Sequence, residues 1–276
     1  MIDCKISFFW EGRMSWMRYM TLVSFRKLNP NWKMYLYHSQ HEIGERQWSS
    51  NERDDREYVG KDYRPMINKL GVIQQVWVPP ICNLAPAHRS DLFRWFILKE
   101  QGGFYSDMDL LWIRPLDKLM RQIDGTDVMF CLEDGWMAIG FHAATAGCRL
   151  MKDIYDDALE NGDPKEYQGF GTDTIYRFAR LNPYQCSSLR GTYAIEQFRR
   201  KYQDLRITVV PDEVVYPFDW RKVDSIFQKD EAVSDKTFGI HWFGGHQLSQ
   251  KWNGLLTERC CGKYKNTFTR YAGQMT

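Results

Sequence analysis

Residues 87–115 read AHRSDLFRWFILKEQGGFYSDMDLLWIRP, and this stretch decides how the 276-residue chain is understood. It opens as a helix, with Leu92, Phe93, Phe96 and Ile97 spaced for one buried face. The pair Gly102-Gly103 then supplies a turn, and a strand follows that carries Asp107 and Asp109. Side chains alternate across a strand, so carboxylates two residues apart point into one small volume. Two like charges that close need a counter-ion. Carboxylates without thiolates or a dense set of imidazoles suit a hard divalent cation, Mn²⁺ or Mg²⁺, whose remaining positions are filled by water and phosphate oxygens. Asp91 and Arg94, three residues apart, share a helical surface, either as an exposed ion pair or as a pair reaching the same site.

An Asp-x-Asp alone is common in exposed turns; its surroundings make this one specific. The run A-x-x-S-D-x-x-R followed by G-G-x-Y-x-D-x-D, carried by Ala87, Ser90, Asp91, Arg94, Gly102, Gly103, Tyr105, Asp107 and Asp109, resembles the core signature of glycosyltransferase family 32, the sugar transferases with a DXD motif. That family includes yeast-type mannosyltransferases and galactosyl- and glucosaminyl-transferases, with the glucosylating bacterial toxins as distant relatives. The resemblance implies an α/β fold of the GT-A type, a mixed, mainly parallel sheet flanked by helices that binds a nucleotide-sugar. It also implies metal-dependent transfer of a hexose, with retention, from a nucleotide-diphosphate sugar to a hydroxyl of a glycan or glycoconjugate. A UDP-sugar is the preferred donor.

The likeness continues outside the signature. Residues 5–12, KISFFWEG, resemble the family's first strand and loop, which implies that Trp10 stacks on the nucleotide base with Phe9 beside it. Residues 24–37 resemble the helix, Asn-Pro turn and second strand that follow, Pro30 ending the helix because it lacks an amide proton. Residues 238–245, FGIHWFGG, resemble the late segment that returns a histidine to the metal and diphosphate. His241 is thereby implied as third metal ligand, and Trp242, His246, Tyr105 and Ser106 join Asp91, Arg94 and Asp107 in donor binding. Here the chain departs from the pattern, which commonly has Ser-Trp soon after the glycines. This sequence has His246-Gln247 there and Trp252 later, so whether His241 or His246 meets the metal and diphosphate stays open. Glu133 and Asp134 lie after a strand, where a carboxylate can face the acceptor; Asp134 is the expected one, and Asp91, Arg94, Asp107 and Asp109 are the expected catalytic groups.

Composition narrows the classes. The formal charge is +2 with no basic block, which argues against a nucleic-acid partner. Aromatic residues make up 15% of the chain, which suits a carbohydrate site because sugar C–H faces pack on rings. No run of about 18 apolar residues exists, and the N-terminus lacks a signal-peptide pattern, so a soluble, cytoplasmic protein is expected. Seven cysteines, at 4, 82, 131, 148, 186, 260 and 261, form neither a disulfide framework nor a CxxC zinc pattern and fit a reducing compartment. Strands alternate with helices: strands are expected at 72–80, 128–132, 137–141 and 207–210, and helices at 148–161 and 172–181. One domain spanning 1–276 is expected, with a nucleotide-sugar core at about 1–145 and an acceptor side with a closing segment at about 146–276. A metal-dependent nucleotide-sugar hydrolase or nucleotidyltransferase, and a non-catalytic sugar-binding protein, remain alternatives. The first leaves Asp91, Arg94 and the Gly-Gly-x-Tyr pattern unexplained, and intact Asp107 and Asp109 speak against the second.

Overall fold

The computed structural model describes residues 1–42, 44–49, 58–180 and 189–275. In chain order these form β1 (Lys5–Phe9), α1 (Trp16–Leu28), β2 (Lys33–His38), β3 (Ile73–Val76), α2 (Pro86–Glu100), β4 (Gly103–Ser106), β5 (Leu110–Trp112), α3 (Asp117–Gln122), β6 (Val128–Glu133) and β7 (Trp136–Ala144). There follow α4 (Arg149–Asn161), α5 (Thr172–Phe178), α6 (Arg190–Lys201), β8 (Ile207–Val210), α7 (Val223–Phe227), β9 (Gly239–His241), α8 (Gln247–Leu255) and α9 (Thr267–Ala272). Seven strands form one sheet in the order β3-β2-β1-β4-β7-β6-β8, while β5 and β9 pair antiparallel on their own. β7 runs antiparallel between β4 and β6, and the other pairings in the large sheet are parallel. This is the expected mixed, mainly parallel sheet flanked by helices.

The strand period distributes the core to both faces. From β1, Ile6 and Phe8 pack with Met17, Met20 and Phe25 of α1, while Phe9 faces Phe93 and Trp77 on the other side. β4 repeats the pattern, Phe104 joining the first core and Tyr105 the second. α2 is more deeply placed than one apolar stripe implies: His88, Arg89, Asp91 and Arg94 are buried along with Leu92, Phe93, Trp95, Ile97 and Leu98. Asp91 and Arg94 are therefore not an exposed pair. At the end of α2 the chain turns through Gly102 (φ 64°), where a Cβ would lie 2.4 Å from the Ala146 nitrogen. Only glycine takes that conformation in that space.

The expected strand at 207–210 forms as β8, and those at 128–132 and 137–141 lengthen into β6 and β7. The one at 72–80 shrinks to β3, an exposed edge strand. The helix expected at 172–181 ends at Phe178, and position 181 lies outside the described residues, as does Cys186. One expectation is corrected. Asp107 and Asp109 do not sit on one strand: Asp107 follows β4 and Asp109 precedes β5, with Met108 turned into the core between them. The backbone leaves the large sheet here, because Asp107 N–H donates to the Gly140 carbonyl (2.8 Å) while the Asp109 carbonyl accepts from Trp242 N–H (2.9 Å) beside the small sheet. A turn between two sheets, not the pleat of one strand, brings the carboxylates together. Among the described residues, no helix is long and apolar enough to cross a membrane.

Candidate active site

The carboxyl ends of β1 and β4 and the loops beyond them open onto a cleft of about 840 Å³. Asp107 and Asp109 line it, and β9 delivers His241 beside them because Leu110 pairs with His241 across the small sheet. One ligand atom from each of Asp107, Asp109 and His241 lies within 4.8 Å of the others. Two carboxylates and an imidazole at this spacing could hold a divalent cation, with positions left over for water and phosphate oxygens. The surroundings keep that volume open. Gly140, on β7, faces it, and a Cβ there would stand 2.9 Å from Asp107 Oδ2, 3.2 Å from His241 Nε2 and 2.7 Å from the Tyr216 hydroxyl.

Each ligand is held by its neighbours. Tyr105, buried beneath the cleft, donates its hydroxyl to Asp107 Oδ1 (2.6 Å) and shares a hydrogen bond with Ser90 Oγ (2.8 Å). Asp109 Oδ1 faces His241 Nε2 (3.2 Å), and Asp109 Oδ2 accepts from Gly244 N–H (2.6 Å) and lies 3.7 Å from the Arg18 guanidinium. Burial alone would raise the Asp109 carboxyl, but His241, Arg18 and the Gly244 amide outweigh it and hold the group well below the usual carboxylate range. For His241, burial works against the charged ring, yet Asp109 prevails and raises it. His241 Nδ1 accepts from Phe243 N–H at 3.3 Å. Phe243 has φ 51°, a conformation that costs a bulky residue about 1 kcal/mol or more, and it turns the backbone so that Gly244 can reach Asp109.

Asp91 and Arg94 enter from α2. Arg94 meets Asp91 Oδ1 at 2.7 Å and Asp107 Oδ1 at 3.3 Å, donates to the Ile139 carbonyl (2.5 Å) and lies 4.9 Å from the Tyr105 ring centre. Burial, reinforced by Asp107 and Asp173 and only partly offset by Arg94, pushes the Asp91 carboxyl up to about 7. Desolvation would lower the Arg94 guanidinium, but Asp107, Tyr105 and Asp91 more than compensate and keep it charged. A cation bonded to two carboxylates at the metal cluster suits a phosphate or a sugar oxygen, and a carboxylate beside it suits a hydroxyl.

The remaining expected residues separate. Phe9, Trp10 and His246 line the cleft with Asp91, Arg94, Asp107, Asp109 and His241. Trp10 donates Nε1–H to the Arg13 carbonyl (3.3 Å), and His246 caps α8 by accepting from Leu248 N–H (3.2 Å). Tyr105, Ser106, Trp242 and Asp134 are not on the cleft wall. Ser106 is buried and donates to the Asp107 carbonyl (2.9 Å). Trp242 is buried under Arg18, whose guanidinium stands 4.5 Å from its ring and 4.7 Å from that of Trp10. Asp134 sits on the exposed β6–β7 turn at φ 48°, paired with Arg221, and the neighbouring Glu133 faces the cleft instead. Arg18, Gly140 and Tyr216 went unnoticed in the sequence, whereas Glu133 was named there beside Asp134. Gly140 alone left a signal, a glycine inside a strand pattern that marks a close approach.

Residues 15–125 match the family model of the glycosyltransferase sugar-binding region containing the DXD motif. No curated protein matches the chain. Among solved structures it resembles the PaToxG glycosyltransferase, with 16% identity over 74% of this chain and 86% of that one and a TM-score of 0.45. It also resembles the apo-form glycosyltransferase GlyE of Streptococcus pneumoniae TIGR4 (12%, 96% and 65%, 0.46) and the UDP-bound glycosyltransferase domain from the YGT toxin (12%, 76% and 79%, 0.42). The chain spans about two thirds of the length of GlyE.

Proposed function

We propose that this chain is a metal-dependent, retaining glycosyltransferase that moves a hexose from a UDP-sugar to a hydroxyl of a glycan or glycoconjugate. The observation that carries this reading is the meeting of Asp107, Asp109 and His241 with Asp91 and Arg94 in one cleft. It is supported by the sugar-binding-region match over residues 15–125. A single catalytic domain, 1–276, is supported by β8 joining the large sheet and β9 pairing with β5, which tie the second half of the chain to the first.

In this reading Asp107, Asp109 and His241 hold Mn²⁺ or Mg²⁺, which when bound neutralises the charge developing on the departing diphosphate. Arg94 adds a fixed positive charge at the same place and needs no rearrangement, because Asp91, Asp107 and the Ile139 carbonyl already hold it. Asp91 accepts from a hydroxyl of the donor sugar and orients its anomeric carbon. Trp10 and Phe9 line the end of the cleft that takes the base, and His246 serves the phosphates from the start of α8. The acceptor hydroxyl attacks from the face the diphosphate leaves, its proton passing to a departing phosphate oxygen, so no protein nucleophile is required.

A panel of UDP- and GDP-sugars with Mn²⁺, read by thermal shift and by slow donor hydrolysis, tests this on the wild type and Asp109→Ala. The expected result is a metal-dependent shift and sugar release with one UDP-sugar, both lost in the variant. A response indifferent to Asp109 would refute the proposal.

A further inference from the structure

The strand order lays out the cleft from one end to the other. Trp10 follows β1, Asp107 follows β4, Gly140 lies on β7, Glu133 ends β6, and Trp220 belongs to the segment after β8. Neighbouring strands are about 4.8 Å apart, so β1 and β6, three steps apart in the sheet, stand roughly 14 Å from each other. The Asp107–Asp109–His241 cluster is thus flanked on both sides, by Trp10 at the β1 end and by Trp220 at the β6–β8 end, and both residues line the cleft. The Trp10 end is taken up by the donor's base in the reading above. The Trp220 end has no role in it.

Trp220 is 60% exposed, although its backbone is firmly fixed. Its N–H donates to Glu133 Oε1 (2.9 Å), and the Asp219 carboxylate before it accepts from Arg221 N–H (2.9 Å) and pairs with Lys222 (2.9 Å). Arg221 reaches back to Asp134 on the β6–β7 turn, tying the two sides of this mouth together. A lone exposed aromatic ring is ordinary on a protein surface. An indole held on a pinned turn at the cleft mouth, with a carboxylate of the cleft wall bonded to its own backbone, is a more specific arrangement. A hexose presents an apolar C–H face and a rim of hydroxyls, and an indole beside a carboxylate is complementary to both.

We propose that Trp220 and Glu133 form the acceptor subsite and that its occupant is the terminal hexose of a saccharide, stacked on the indole with one hydroxyl donating to Glu133. This rests on the transferase reading. A serine, threonine or tyrosine hydroxyl of a protein acceptor would bring no sugar ring to the indole, so the subsite separates saccharide from protein acceptors.

Saturation-transfer NMR on the full chain with Mg²⁺, with and without UDP, tests it using methyl β-D-galactopyranoside, methyl β-D-glucopyranoside and methyl α-D-mannopyranoside. At least one glycoside is expected to show ring-proton enhancement. Trp220→Ala is expected to weaken its binding roughly fivefold, and Trp220→Phe to restore most of it. Tyr193→Ala, an exposed aromatic outside the cleft lining, serves as the control that leaves the enhancement in place. No enhancement with any of the three, or enhancement indifferent to Trp220→Ala, overturns the subsite. Failure of the wild type to bind UDP would instead refute the transferase reading, and the UDP-free samples keep the two failures apart.

Discussion

Replacing Gly140 by alanine tests the metal cluster through space and not through charge. The new Cβ would stand 2.9 Å from Asp107 Oδ2, 3.2 Å from His241 Nε2 and 2.7 Å from the Tyr216 hydroxyl, where ordinary contact begins near 3.4 Å. Asp107 must then retreat by about 0.5 Å, which is the tolerance within which a functional constellation has to be held. Tyr105 and Arg94 grip the other oxygen of the same carboxylate, so the retreat cannot be absorbed by free rotation. A misplacement of about 1 Å costs on the order of 100-fold in rate, so half of that predicts roughly tenfold, about 1.4 kcal/mol, in Mn²⁺ affinity and in donor hydrolysis together. The backbone should keep its course, because Gly140 has no left-handed requirement and alanine suits a strand interior better than glycine, while the buried Tyr216 hydroxyl must also give way. Calorimetric Mn²⁺ titration with UDP, alongside a thermal melt, separates the two effects. Unchanged Mn²⁺ affinity in a normally folded variant would refute the argument that Asp107 and His241 share one cation beside Gly140.

Two further predictions concern stability. His142, buried between Trp95 and Phe130 and, among the described residues, with no hydrogen-bond partner on either ring nitrogen, is depressed by burial and by Arg94 to about 3. Below its ordinary 6.5 the unfolded imidazole takes a proton that the folded one refuses, so this group removes stability as pH falls from about 6.5 to about 3, at about 1.4 kcal/mol per unit. His142→Leu should flatten the pH dependence of the urea midpoint between pH 7 and 4, and parallel curves for the two proteins would contradict that. Arg89 and Glu11 form a buried ion pair (3.0 Å), and Arg89 also serves the carbonyls of His41, Glu42 and Cys82. Arg89→Met leaves that carboxylate and those carbonyls without their donor and should cost about 3–5 kcal/mol in urea unfolding, with part recovered in Glu11→Gln/Arg89→Met. A loss below about 1 kcal/mol would show that the pair is not desolvated as described.

Much of the candidate site was legible because its chemistry is compressed into residues 87–109. Helical spacing brought Asp91 and Arg94 to one surface, two glycines announced the turn, and the two aspartates marked a place where carboxylates gather. The α/β layering and several strands were legible for the same reason, since apolar periodicity operates over a few residues. The error over Asp107 and Asp109 shows where local reasoning stops. Period-2 alternation predicts convergence on a strand, but the chain had left one sheet for another, and no local pattern encodes that departure. Trp242 and Asp134 illustrate the same limit, since a ring or a carboxylate beside a motif can face the core or the solvent as easily as the cleft.

By itself, then, the sequence determined the element types, the helix carrying Asp91 and Arg94, and the chemistry of a carboxylate pair seeking a hard cation. These follow from propensity, period and charge within a few turns of chain. Tertiary structure decided which distant groups meet that pair: Arg18 under Asp109, Gly244 bonded to it across 135 residues, Gly140 leaving space, and Glu133 with Trp220 at the far mouth. The physical reason is that strand order in the large sheet and the β5–β9 pairing are set by the packing of two cores at once, and contacts across such separations depend on the whole fold.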